Sequence, residues 1–126
     1  MRNDNLTHLG LAILRIGASV FLIYGHGWSK LIKLINGNTE FADPFGIGSA
    51  PTLFLAILAE VLCSFLIIIG FKTRWNAIPP AITMFVAAFM FHANEPFGSK
   101  EMALLYLVVF VAIFLIGPGK YSVDKR

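Results

Sequence analysis

Residues 51–70 read PTLFLAILAEVLCSFLIIIG, an apolar run broken by a single charge, Glu60. Pro51 suits the first helical position, where its missing N–H would be unpaired in any case. Gly70 suits the residue that ends a helix. At about 1.5 Å per residue the run from Pro51 to Ile69 is roughly 28 Å long, about one hydrocarbon thickness of a bilayer. A membrane-spanning strand needs only about 9–11 residues, so length decides for a transmembrane helix.

Three more apolar segments surround it. One runs from about 6 to 34 and contains Arg15, His26 and Lys30; one runs from about 76 to 91, with Pro79 and Pro80 in its first turns. The last runs from about 100 to 116, with Ser99 as its expected N-cap, and stops at Gly117-Pro118-Gly119. The reading is a single all-α domain over residues 1–126, an integral membrane four-helix bundle. Composition agrees: 57% of the 126 residues are hydrophobic, 13% are charged and the mean hydropathy is +0.76. A chain this short cannot hide so much apolar surface inside one water-soluble core, so the lipid bilayer is the expected partner.

The net charge of +3 does not indicate nucleic acid, because the ten Lys and Arg are scattered and several flank apolar runs. Cys63 is the only cysteine, which excludes an intrachain disulfide, a CxxC redox pair and a CxxCH haem attachment. The first apolar stretch is too long for a signal peptide. Four spans put both termini on one side, with Arg2, Lys72, Arg74, Lys120, Lys125 and Arg126; the other side holds Lys30, Lys33 and Lys100. Six against three predicts cytoplasmic termini. Trp28 and Tyr24 then mark the outer interface, and Trp75 and Tyr121 the inner one.

An ionisable residue inside a span costs roughly 2.5–3.5 kcal/mol on insertion scales and is a site candidate by default. Arg15 and Glu60 both fall near the midplane. They are expected to pair with each other, either as a structural pair that fixes helix register or as a proton relay or grip on a polar headgroup. Arg15, Ser19, His26, Lys30 and Lys33 share one face of the first helix, and Lys30 and Lys33 are expected to snorkel to headgroups. His92 ends the third segment at the same level as His26. Glu101 opens the fourth segment and Tyr106 lies about one turn deeper. With the connection of about 35–50, whose Phe41 and Phe45 supply an apolar lid, His26, Lys30, His92, Glu101 and Tyr106 form a candidate pocket at the outer side. Apolar walls with a few donors suit a quinone; the alternative is that these groups face periplasmic water. No metal site is read, and haem between the two histidines is not expected.

Several stretches together resemble the DoxX family: Leu14-Arg15-Ile16-Gly17 with Gly25-His26-Gly27-Trp28-Ser29-Lys30-Leu31, Glu60 leading to Gly70-Phe71-Lys72-Thr73-Arg74, Phe89-Met90-Phe91-His92, and Gly117-Pro118-Gly119-Lys120-Tyr121-Ser122-Val123-Asp124. The resemblance covers nearly the whole chain in order. It implies a small multi-pass protein of the bacterial inner membrane, from a family named after a small subunit of a terminal quinol oxidase and linked to membrane oxidoreductase assemblies. Where the family has glycines just after the second-helix glutamate, this chain has Leu62, Cys63 and Ser64.

Three function classes follow. The first is a cofactor-poor, non-catalytic subunit or accessory of a membrane redox system that contacts quinone, with oxidoreductase subunits or a second copy of itself as partners. The second is a small-solute transporter or channel that uses the buried charges as its pathway. The third is a membrane scaffold. No nucleotide loop, nucleophile triad or zinc spacing is present, so an independent enzyme of soluble type is not expected.

Overall fold

The computed structural model describes residues 4–41, 43, 45–91 and 93–124. Among the described residues four helices run up, down, up and down: α1 over Asp4–Ile35, α2 over Ser49–Ile69, α3 over residues 73–91 and α4 over Phe97–Ile116. Among the described residues there is no strand. Each helix packs on its sequence neighbours, α3 against α4 most extensively, and α1 also meets α4 to close the ring.

Alternation brings the chain ends together. The Lys120 N–H donates to His8 Nδ1 at 3.0 Å and the Val123 N–H to the Ile69 carbonyl at 3.0 Å. The described ends and the α2–α3 turn therefore share one end of the bundle, called the terminal face below. The α1–α2 connection and the α3–α4 turn lie at the other end, the loop face.

The core is thin, built around Leu22, Ile67, Ala77, Met84 and Phe110. The outside is as apolar as the inside: Phe21, Phe54, Phe65, Phe85 and Leu115 are each more than half exposed. That is the surface of a protein whose solvent is lipid, where helices satisfy their own backbone polar groups. On length and composition, α1, α2 and α4 are long and apolar enough to cross a membrane. At about 1.5 Å per residue α3 reaches a similar length, roughly 28 Å.

Helix ends explain two departures from the expected boundaries. α4 begins at Phe97 after Pro96, so Ser99 lies inside its first turn and is not the N-cap; the Ser99 N–H bonds the Pro96 carbonyl. α3 begins at Thr73, which moves Pro79 and Pro80 from the first turn to the helix interior. The start is set from outside the helix. Gly70 closes α2 with φ 76°, Lys72 turns the chain with φ 45°, and the Asp124 carboxylate accepts the N–H groups of Lys72 and Thr73 at 2.9 Å each. A carboxylate from the C-terminal segment thus caps α3, the role a neighbouring Ser or Asp normally plays.

Candidate functional site

Three of the four described helices carry one turn of wider π geometry: 23–27 in the loop-face half of α1, 58–62 at the middle of α2 and 87–91 at the loop-face end of α3. Such turns insert a residue, re-aim the side chains around it, and occur often at functional sites. Here they contain His26 and Glu60. The turns of α1 and α2 pack directly on each other, and Gly27 makes this possible. A Cβ on Gly27 would sit 2.7 Å from Val61 Cγ2 and 3.3 Å from Glu60 Cβ. The glycine of the close approach therefore belongs to α1, which is why Leu62, Cys63 and Ser64 after the glutamate do not hold the helices apart.

Glu60 is completely buried, and its ion-pair partner is Lys30: Nζ lies 2.7 Å from Oε1 and 2.5 Å from Oε2. The expected Arg15–Glu60 pair does not form. Lys30 does not snorkel outward either; it lies one turn beyond Gly27, close enough to reach back to the carboxylate. Arg15 is also buried, at 1% exposure, but nearer the terminal face. It donates Nη1 to the carbonyls of Ile67 (2.8 Å) and Ile68 (2.6 Å), and Nη2 to the Tyr121 carbonyl (2.6 Å). The last carbonyls of a helix have no intrahelical partner and form the negative end of its dipole. Backbone, which carries no letter in the sequence, supplies the counter-charge that side chains alone would place at Glu60.

Beside the Lys30–Glu60 pair lies a cavity of about 370 Å³. His26 and Lys30 face it from α1, and Phe41 and Phe45 close it from the α1–α2 connection. Leu55, Ile82, Met84, Val86 and Met102 make most of its wall apolar, while Thr52, Thr83 and Ser99 add hydroxyls, of which the sequence marks only Ser99, and that as a helix cap. Thr83 Oγ1 donates to the Pro79 carbonyl at 2.9 Å, the bond that a threonine inside a helix makes to the carbonyl four residues back. The Tyr106 ring meets the His26 imidazole edge to face, centroids 5.5 Å apart. Of the residues read as converging, His26 and Lys30 line the cavity, and Tyr106 touches the His26 ring without being among the described lining residues. Glu101 is exposed and is not among the described residues that line the cavity. His92 lies outside the described residues. Among the described residues no group of three or more His, Cys, Asp or Glu is placed to hold a metal.

The lid is pinned. Lys30 and Lys33 sit over the Phe41 ring, 5.7 and 5.9 Å from its centroid. Asp43 accepts from the Gly48 N–H (2.8 Å), the Ile47 N–H (3.1 Å) and the Thr52 hydroxyl (3.0 Å), tying the connection to the start of α2. Desolvation pushes the Asp43 carboxyl up, but the bonds from Gly48, Thr52, Ile47 and Gly46 outweigh it and hold its pKa below the ordinary value. A depressed carboxyl pKa contributes order above the ordinary value and loses it as pH falls through the folded value. Amide protection at Ile47 and Gly48 should therefore be level from neutral pH down to roughly pH 4 and fall below it. Asp43→Asn should remove that step; an identical acid step in the variant would mean another group holds the lid.

A second cavity, of about 280 Å³, lies at the terminal face among Lys72, Arg74, Trp75, Pro118 and Asp124. The Asp124 carboxylate already occupies the α3 N-terminus there, so the loop-face cavity is the better candidate for a ligand.

Comparison with known proteins follows the same outline. The DoxX family profile matches residues 10–93. The chain is 28% identical over 124 residues to the inner membrane protein YqjF of Escherichia coli strain K12, covering 95% of this chain and 93% of that one. Two uncharacterized proteins of Haemophilus influenzae are 31% and 29% identical, over 92% and 98% of this chain and 89% of each of theirs. No solved structure matches the chain.

Proposed function

The chain belongs to the DoxX family, and we propose that it is an accessory subunit of a membrane redox system whose loop-face cavity receives a quinone headgroup. Its four apolar helices and its inner-membrane relative support a multi-pass protein of the inner membrane. The observation that carries the ligand reading is an apolar cavity of about 370 Å³ with His26 and Lys30 on its wall and a buried carboxylate behind the lysine. Quinone carbonyl oxygens are acceptors, and the imidazole N–H and the ammonium are donors. Glu60 fixes the direction of Lys30 and is itself a base within one hydrogen bond of it. The apolar wall suits the ring and the first part of the tail.

Calorimetry on protein in nanodiscs with a short-tailed quinone analogue tests this. Binding should weaken about tenfold, or about 1.4 kcal/mol, in His26→Ala and in Lys30→Met. Equal affinity in the wild type and both variants, or no binding at all, would remove the quinone from the reading. The transport alternative needs a path to the terminal face. There Arg15, at 1% exposure, fills the space between α1, the end of α2 and the C-terminal segment, which argues against an open route.

The Lys/Arg asymmetry supports a cytoplasmic terminal face, which would open the cavity toward the periplasm. A green fluorescent protein fused to the C-terminus should fluoresce and an alkaline phosphatase fusion should be inactive. The reverse pattern would turn the molecule over.

A further inference from the structure

Ser19 on α1 and Ser64 on α2 are completely buried, and neither hydroxyl has a hydrogen-bond partner among the described residues. Nε of the equally buried Arg15 has none either. The register of the two helices places these atoms in one seam. Arg15 meets Ile67 and Ile68, and Gly27 meets Glu60. Between those two contacts lie Ser19, four residues beyond Arg15, and Ser64, four residues beyond Glu60; Ser19 is nearer the guanidinium and Ser64 nearer the ion pair. Arg15 and Ser19 share a face of α1, and Glu60 and Ser64 share a face of α2, because residues four apart are neighbours on a helix. Each such step rises about 6 Å, close to the span that one water bridges with two hydrogen bonds of about 2.8 Å.

Buried hydroxyls in native proteins are nearly always satisfied, and internal water is the usual partner where several polar atoms converge. We propose that the α1–α2 seam is a binding site for ordered water, held by Ser19 Oγ, Ser64 Oγ and Arg15 Nε. The water joins the Lys30–Glu60 pair on one side to the guanidinium on the other. The line ends at Arg15. That group carries a fixed positive charge and its terminal nitrogens are engaged by the carbonyls of Ile67, Ile68 and Tyr121, so it repels a proton arriving along the seam, as arginine does in water-selective pores. The seam hydrates Glu60 from within the bundle without connecting the two faces. This goes beyond the quinone reading and does not rest on it, since no ligand takes part.

The test uses the whole protein in nanodiscs with no quinone added. Infrared spectra in ordinary and oxygen-18 water should show shifted O–H bands from strongly bonded internal water in the wild type. Those bands should be lost in the Ser19→Ala/Ser64→Ala variant, and its Tm should fall, because the water loses its partners. If the hydroxyls are dry, removing them relieves buried orphan groups and Tm rises instead. A rise in Tm, or water bands absent or unchanged, overturns the proposal. The two single variants, each removing one partner, give the same readout should the double variant not fold. In vesicles loaded with a pH dye, proton entry should be no faster with the protein than without it; a leak overturns the closed end at Arg15.

Discussion

Lys30→Met is expected to destabilise the protein by about 3–5 kcal/mol, the usual cost of leaving one member of a buried ion pair alone. It should cost more than Glu60→Gln. The carboxylate is completely buried, whereas Lys30 is 22% exposed and, once released, can carry its ammonium toward water along its own stem. The double variant Lys30→Met/Glu60→Leu should be near wild type or above it, since an apolar pair of similar volume removes both desolvation costs. Equilibrium unfolding in mixed micelles measures all three. Lys30→Met no worse than Glu60→Gln, or losses that simply add, would mean that the two side chains do not depend on each other.

The second large effect is at Arg15. Its guanidinium joins the end of α2 to the Tyr121 carbonyl, and hydrogen bonds from a charged group are worth about 1.5–3 kcal/mol each. Because the three share one side chain they do not add fully, and Arg15→Met should cost on the order of 3–5 kcal/mol. Arg15→Lys should recover part of this: an ammonium keeps the charge but lacks the planar fork that reaches two segments at once. A readout specific to the tie is trypsin cleavage after Lys120, which should speed up in Arg15→Met before global unfolding does. Unchanged protection of that bond would show that the segment is held by its other contacts, Lys120 N–H to His8 and Asp124 to the start of α3, without the arginine.

The cavity is partly legible in the sequence. Residues that share a helix face do so by spacing alone, which put His26 and Lys30 on one surface. The length of the α1–α2 connection, with Phe41 and Phe45, suggested a lid. Glu101 failed because rotation about a helix axis decides whether a residue near a helix start faces inward, and an N-terminus three residues earlier than expected was not visible in the pattern. The sequence does not mark the hydroxyls of Thr52 and Thr83 as site groups, and marks Ser99 only as a helix cap, because Ser and Thr are common inside membrane helices and gain meaning only when four helices turn them toward one space.

The order and composition of the residues define the class of molecule: four apolar helices, a bilayer as solvent, and charges at Arg15 and Glu60 too costly to be left without partners. Length, hydropathy and the expense of burying charge are local or compositional quantities, so a linear chain states them. Which partner each charge took was decided only in three dimensions. Glu60 went to Lys30 because two π turns and the bare backbone of Gly27 bring α1 against α2 at that level. Arg15 went to carbonyls because the end of α2 and the segment after α4 meet beside it. A partner is chosen by distance after packing, and backbone acceptors, identical at every residue, leave no mark in the order of the side chains.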